Sequence, residues 1–165
     1  MRLSRWRLPR RLFQGPDYEG VEGKLAEEAD DEKVNLRLQA YKMFPQRTVL
    51  DLFAGKGYLS WLYARHGCER IICVEKDERY FKVLQKNMAE FKNATLINQN
   101  NLKWLEEALS PNEPFSYVDF DAYGIPTLQI QKFFQKYPIR HIVAIAVTDG
   151  ILTNFRRLSN ADLAK

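Results

Sequence analysis

Two short stretches of this chain concentrate the residue types that do chemistry. The first is Asp51-Leu52-Phe53-Ala54-Gly55-Lys56-Gly57. Glycines at alternate positions permit positive φ and let a ligand approach the backbone where a side chain would collide. An acid just ahead of them suits the ammonium group of an amino-acid ligand, directly or through water. A second acid, Glu75, closes the apolar run Ile71-Ile72-Cys73-Val74. There a carboxylate can accept both hydroxyls of a ribose lying across the carboxyl ends of strands. Two acids around a GxG fit a cationic amino-acid nucleoside. Rival nucleotide motifs fit less well. A dinucleotide fingerprint asks for Gly or Ala where Ser60 stands, and a P-loop asks for Gly where Leu50 stands and Ser or Thr where Gly57 stands.

The second stretch is Tyr117-Val118-Asp119-Phe120-Asp121-Ala122-Tyr123-Gly124-Ile125-Pro126. Asp121 has a structural alternative, capping the helix that begins near Pro126 or turning with Gly124. Its chemical reading starts from the exocyclic amine of a base, a poor nucleophile because its lone pair is delocalised into the ring. Acceptors placed on its N–H groups favour the charge that develops as nitrogen attacks an electrophilic carbon. Asp121 and the carbonyl of Ala122 can supply them, with Asp119 as the neighbouring acid. Tyr123 can stack on the base, a contact of about 1–3 kcal/mol in single-strand sites.

Together these motifs resemble the class I S-adenosylmethionine (SAM) dependent methyltransferases, whose first motif D/E-x-F-x-G-x-G is matched by Asp51, Phe53, Gly55 and Gly57. The resemblance runs from about Thr48 to Val147. It implies SAM as cofactor, with Asp51, Phe53, Gly55 and Gly57 around its methionine part and Glu75 on the ribose beside Lys76. In Leu96-Ile97-Asn98-Gln99-Asn100, Asn100 is the best match to the family's adenine contact. The second stretch is similar to the D/N-P-P-F/Y motif of amino-methyltransferases, and most similar to the D-x-D-P-F/Y-G-S-P segment of tRNA guanine-N2 methyltransferases. Thr148-Asp149 also matches a Thr-Asp pair there. Ala122 stands where that family has proline, and Ile125 where it has a small polar residue. No Pro-Cys pair occurs in the stretch, which argues against pyrimidine C5 methylation, since that needs a cysteine nucleophile. The resemblance implies methyl transfer to an exocyclic base amine, with guanine N2 in tRNA or other RNA foremost. The alternatives are a catalytically silent SAM-binding or RNA-binding subunit, or a methyltransferase acting on DNA or protein nitrogen.

Both stretches need elements to hold them. Apolar runs at Thr48–Phe53, Ile71–Val74, Ala94–Ile97, Phe115–Phe120 and Ile142–Val147 predict strands. Helix-length segments Tyr58–His66, Glu78–Phe91, Asn101–Leu109 and Pro126–Lys136 separate them. Near-continuous apolar strands alternating with helices predict an α/β fold, a mostly parallel Rossmann-like sheet covered on both faces. Val34, Leu36, Leu38, Tyr41 and Phe44 predict one further helix, ending before Pro45. Trp61, Trp104, Phe133 and Phe134 read as core, and His66 and His141 as structural. A complete class I sheet has seven strands, and the short remainder after the fifth leaves the last two missing from this expectation. A second copy or a partner subunit completing the sheet follows.

The 165 residues, 45% hydrophobic, suit one domain with a real core. We expect a methyltransferase domain over 23–165 and a basic arm over 1–22, where Arg2, Arg5, Arg7, Arg10 and Arg11 occur with no acid among the first dozen residues. Phosphate binding is the favoured role of the arm, ahead of a plain basic tail and an organellar transit peptide. The net charge of +4 is compatible with a nucleic-acid partner. Cys68 and Cys73 lack the spacing of a metal site, and no metal is expected. No apolar run approaches the roughly 20 residues of a membrane span, so a cytoplasmic, membrane-free protein is expected.

Overall fold

A computed structural model describes residues 31–43 and 48–148. The arginines of the arm, Phe44, and Asp149 with the segment after it lie outside the described residues. Helix α1 (Asp31–Lys42) leads into β1 (Thr48–Asp51), α2 (Tyr58–Arg65), β2 (Arg70–Glu75), α3 (Glu78–Asn87), β3 (Ala94–Asn98), α4 (Asn101–Glu107), β4 (Phe115–Phe120), α5 (Thr127–Lys136) and β5 (Ala144–Val147). The strands form one sheet in the order β3-β2-β1-β4-β5, and every pair is parallel. This is the Rossmann-like arrangement that alternating strand and helix periods predict.

Side chains on a strand point alternately to its two faces, and the core divides accordingly. Val49, Ile71, Cys73 and Tyr117 pack with Val34, Leu38, Leu62, Tyr63 and Leu84 of α1, α2 and α3. Leu50, Ile72, Val74, Val118 and Phe120 pack with Trp104, Leu105 and Phe133 of α4 and α5. Phe115 breaks the parity and joins the second layer, because the β1–β4 register shifts between Thr48, opposite Phe115, and Val49, opposite Tyr117. The central strands β1 and β4 are buried throughout, whereas β3 and β5 are only partly covered.

The differences from expectation lie at element boundaries and at Phe134. β1 ends at Asp51, so Leu52 and Phe53 begin the turn that carries the glycines. α3 stops at Asn87, and Phe91 beyond it packs edge-on against Trp61. β5 starts at Ala144, leaving Ile142 exposed. Phe134 is exposed rather than core; Phe133 takes the buried position, meeting Phe120 and Tyr137. His141 is structural, its Nε2 lying 2.7 Å from the carbonyl of Phe115.

Candidate functional site

The chain runs outward from β1 to β3 and returns to β4 beside β1, so the loops after β1 and β4 diverge and open a crevice at the carboxyl ends of the strands. A cavity of about 340 Å³ lies there, within the roughly 300–1,000 Å³ of small-molecule sites. Its walls are Leu52, Phe53 and Gly55 after β1, Glu75, Lys76 and Tyr80 after β2, Asn100 and Asn101 after β3, and Asp121 to Ile125 with Gln129 after β4.

Glu75 is fixed from two sides. Its Oε2 accepts the backbone N–H of Gly55 at 2.8 Å, and its Oε1 accepts that of Asp77 at 2.6 Å. Each carboxylate oxygen has a second lone pair, so both remain able to accept a hydroxyl from the cavity. A diol bound by this carboxylate would meet acceptors already oriented by the main chain.

The two glycines differ. Gly55 has φ +55° and borders the cavity, and a Cβ built on it would meet only the carbonyl of Phe53, at 3.9 Å. Gly57 has φ +86° and is buried, and a Cβ there would lie 2.5 Å from Cδ1 of Leu84. Gly55 therefore leaves room for a ligand, while Gly57 lets the turn pack on α3. Gly57 also starts α2 with no side-chain cap.

Asp51 and Asp119 lie behind the cavity wall, at paired positions of β1 and β4 and almost fully buried. Asp51 accepts the Ser60 hydroxyl at 2.6 Å and the Phe53 N–H at 3.2 Å. Burial and the neighbouring charge of Asp119 push its carboxyl well above the usual carboxylate range. Asp119 accepts the Tyr63 hydroxyl at 2.5 Å and Nε of Arg37 at 3.1 and 3.2 Å. Burial pushes it up as well, against the pull of Arg37 and Tyr63. Neither acid touches the cavity, so of the expected catalytic set Asp119 stands apart from Asp121 and Tyr123.

Asp121 does border the cavity. Its Oδ1 accepts the Thr148 hydroxyl at 2.6 Å and Nη2 of Arg37 at 3.3 Å, and Lys33 Nζ lies 2.5 Å away. All three interactions reach Oδ1 and none of them reaches Oδ2. The Arg37 guanidinium also donates to the Thr148 hydroxyl. Burial opposes its charge, but Asp119 and Asp121 more than offset that, so its proton is held more firmly than usual. Beyond Asp121, the Ala122 N–H donates to the carbonyl of Phe120 at 3.0 Å, fixing the start of the loop.

Tyr123 is 99% exposed at the rim. Asn100 borders the cavity too, and its Oδ1 caps α4 by accepting the N–H groups of Leu102 and Lys103. Its neighbour Asn101 donates to the carbonyl of Leu52 at 3.0 Å and accepts Gln129 Nε2 at 3.1 Å, tying the turn after β1 to α4 and α5.

The crevice thus brings together Phe53, Gly55, Glu75, Lys76, Asn100, Asp121 and Tyr123, and leaves Asp51, Gly57 and Asp119 as its support. Sequence reasoning missed Arg37, Lys33, Tyr63 and Gln129. Arg37 had a signal: with Val34, Leu38 and Tyr41 it completes the i, i+3, i+4, i+7 face of α1, a charge in an apolar stripe.

Residues 34–136, more than half of the chain, match the family described as Conserved hypothetical protein 95. No curated protein matches the sequence. Among solved structures, the chain is similar to a candidate methylase from Haemophilus influenzae, at 24% identity and TM-score 0.55 over 66% of this chain and 65% of that one. It is similar to an rRNA methylase from Streptococcus thermophilus at 15% identity and TM-score 0.54, covering 75% and 76%. A candidate RNA methyltransferase from Pyrococcus horikoshii aligns at 25% identity and TM-score 0.52, covering 65% and 56%. The chain thus spans less than two thirds of the Haemophilus and Pyrococcus proteins. Among the described residues, no helix is long and apolar enough to cross a membrane. With the family match spanning more than half of it, the chain belongs to the Conserved hypothetical protein 95 family, and its parallel sheet and glycine motif are those of the class I SAM-dependent methyltransferase fold.

Proposed function

We propose that this protein transfers a methyl group from SAM to an exocyclic amine of a base in RNA, guanine N2 of tRNA being the specific acceptor. The observation that carries this reading is a single cavity with Gly55 and Glu75 on one wall and Asp121, Ala122 and Tyr123 on the other. SAM supplies an electrophilic methyl group on a positively charged sulfur. Glu75 accepts the ribose hydroxyls, Gly55 leaves room beside the main chain, and Asn100 faces the adenine. Asp51 supports the turn from behind through the Phe53 N–H and the Ser60 hydroxyl.

On the opposite wall, Asp121 offers Oδ2 to an amine N–H, and the carbonyl of Ala122 can take the other. With Oδ1 held by cationic and hydroxyl donors, Asp121 is an acceptor of fixed direction. Tyr123 stacks on the base, and alignment of the amine with the methyl group removes much of the entropic barrier. RNA as acceptor is supported by the RNA methylases among the structural relatives and by the five arginines of the arm, to which we assign phosphate contacts. The buried free thiols of Cys68 and Cys73 accord with a cytoplasmic setting. β5 pairs with β4 alone among the described strands, and we assign that edge to a second copy or partner, which light scattering tests.

The test is transfer of radiolabelled methyl from SAM to RNA pools by the full chain, beside Asp121→Ala and Glu75→Ala. The wild type labels RNA, Asp121→Ala binds S-adenosylhomocysteine in calorimetry but loses turnover, and Glu75→Ala loses both. A wild type that binds the cofactor and labels nothing is a silent binding subunit, and the proposal fails.

A further inference from the structure

Arg37 lies in α1, none of whose described side chains lines the cavity, yet it reaches both acids of the β4 motif. Residues two apart at a strand end project to the same face, so Asp119 and Asp121 stand in a row. The guanidinium is a rigid planar fork, and one edge of it spans the row. Nε meets both oxygens of Asp119 and Nη2 meets Oδ1 of Asp121. Asp119 is fully buried and held again by Tyr63, and the Tyr117 hydroxyl donates to the backbone carbonyl of Arg37 at 3.3 Å. The guanidinium is therefore anchored in the core at one end and grips the cavity residue at the other. Thr148, at the end of β5, reaches the same oxygen.

We infer that Arg37 is a positioning residue for methyl transfer: anchored on buried Asp119, it and Thr148 fix Oδ1 of Asp121 so that Oδ2 is presented to the acceptor amine. The inference rests on the role given to Asp121 above. A purely structural arginine would need only Asp119; the second contact, on an acid in the cavity wall, is what a stability role leaves unexplained. Lysine keeps the charge but cannot bridge two acids from one planar edge, so Arg37→Lys separates charge from geometry.

The test is a double-mutant cycle on the full chain. Arg37→Lys and Thr148→Val are each made in the wild type and in Asp121→Asn, and RNA methylation is followed by single-turnover radiolabel assays. S-adenosylhomocysteine affinity and the thermal midpoint are measured in parallel. In the wild-type background each substitution lowers the transfer rate about ten- to a hundredfold, the scale of a misplaced catalytic group. Affinity for S-adenosylhomocysteine stays within about twofold, since neither side chain borders the cofactor half of the cavity. In the Asp121→Asn background neither substitution slows transfer further, because the group they position is already altered. Equal slowing in both backgrounds, or none in the wild type, overturns the inference while leaving the proposed function intact. Should Arg37→Lys fail to fold, Thr148→Val completes the cycle alone. A wild type that methylates no RNA overturns both readings.

Discussion

Asp51 and Asp119 occupy paired positions on adjacent strands, yet each is satisfied by a different set of groups. Asp51 relies on a serine hydroxyl and a backbone N–H, Asp119 on an arginine and a tyrosine hydroxyl. Two buried carboxylates side by side repel when both are ionised, and only Asp119 has a cation in contact.

The first prediction concerns pH. The Asp51 carboxyl is raised by burial and by Asp119, so between its unfolded and folded values the folded chain binds more protons than the unfolded one. Stability must then fall as pH rises through that window. Urea midpoints of the cofactor-free protein should decline from about pH 4 toward neutrality, the lower limit being the ordinary carboxylate value. Asp51→Asn should flatten the decline. An Asn variant with the wild-type slope would locate the effect elsewhere.

Gly57→Ala and Gly55→Ala should separate packing from ligand approach. At Gly57 a methyl group meets Leu84 and the backbone is left-handed, so a loss of about 1–3 kcal/mol in stability is expected. At Gly55 only the left-handed φ resists, at about 1 kcal/mol. Gly55→Ala should instead weaken S-adenosylhomocysteine binding beyond what its stability loss explains. Thermal melts with calorimetry read both effects, and equal losses in both assays would contradict the division of roles.

RNA binding offers a third contrast, between stacking and phosphate neutralisation. Tyr123 is at the surface, so Tyr123→Ala should cost no more than about 0.5 kcal/mol in stability. It should weaken RNA binding by about 1–3 kcal/mol without altering its salt dependence. Removal of residues 1–12 should instead lower the slope of log affinity against log salt, by about 0.7 for each single-strand phosphate that the arm neutralises. An unchanged slope would remove the arm from the RNA interface.

The fold was largely legible because strand and helix periods alternate cleanly through the chain. The meeting of the glycine turn and Glu75 at one crevice was legible because both follow the ends of apolar runs that read as neighbouring strands. Three features were not. Gly57 carries the same letter as Gly55, and only the position of Leu84 distinguishes their work. Asp119 and Asp121 are both acids at a strand end, and the depth at which β4 meets β1 decides that one is core and the other cavity wall. Arg37 was hidden because the pattern that marks α1 is carried by Val34, Leu36, Leu38, Tyr41 and Phe44, of which Leu36 is exposed. The arginine's meaning depends on partners far along the chain, and pattern within a helix does not reveal them.

The strand order β3-β2-β1-β4-β5 also has a kinetic consequence. During synthesis the glycine turn and Glu75 emerge first, and their cavity has only one wall until the chain has made β3 and α4 and returned to insert β4 beside β1. Such non-local pairing closes late in folding. A half-folded chain therefore has no crevice to offer, and under the proposed function the cofactor would bind the completed domain in preference to any intermediate. At a hundredfold excess over its dissociation constant this preference is worth about 2.7 kcal/mol, spread over the whole domain rather than one loop. Cellular supply of the methyl donor would then govern how long the folded enzyme survives as well as how fast it works.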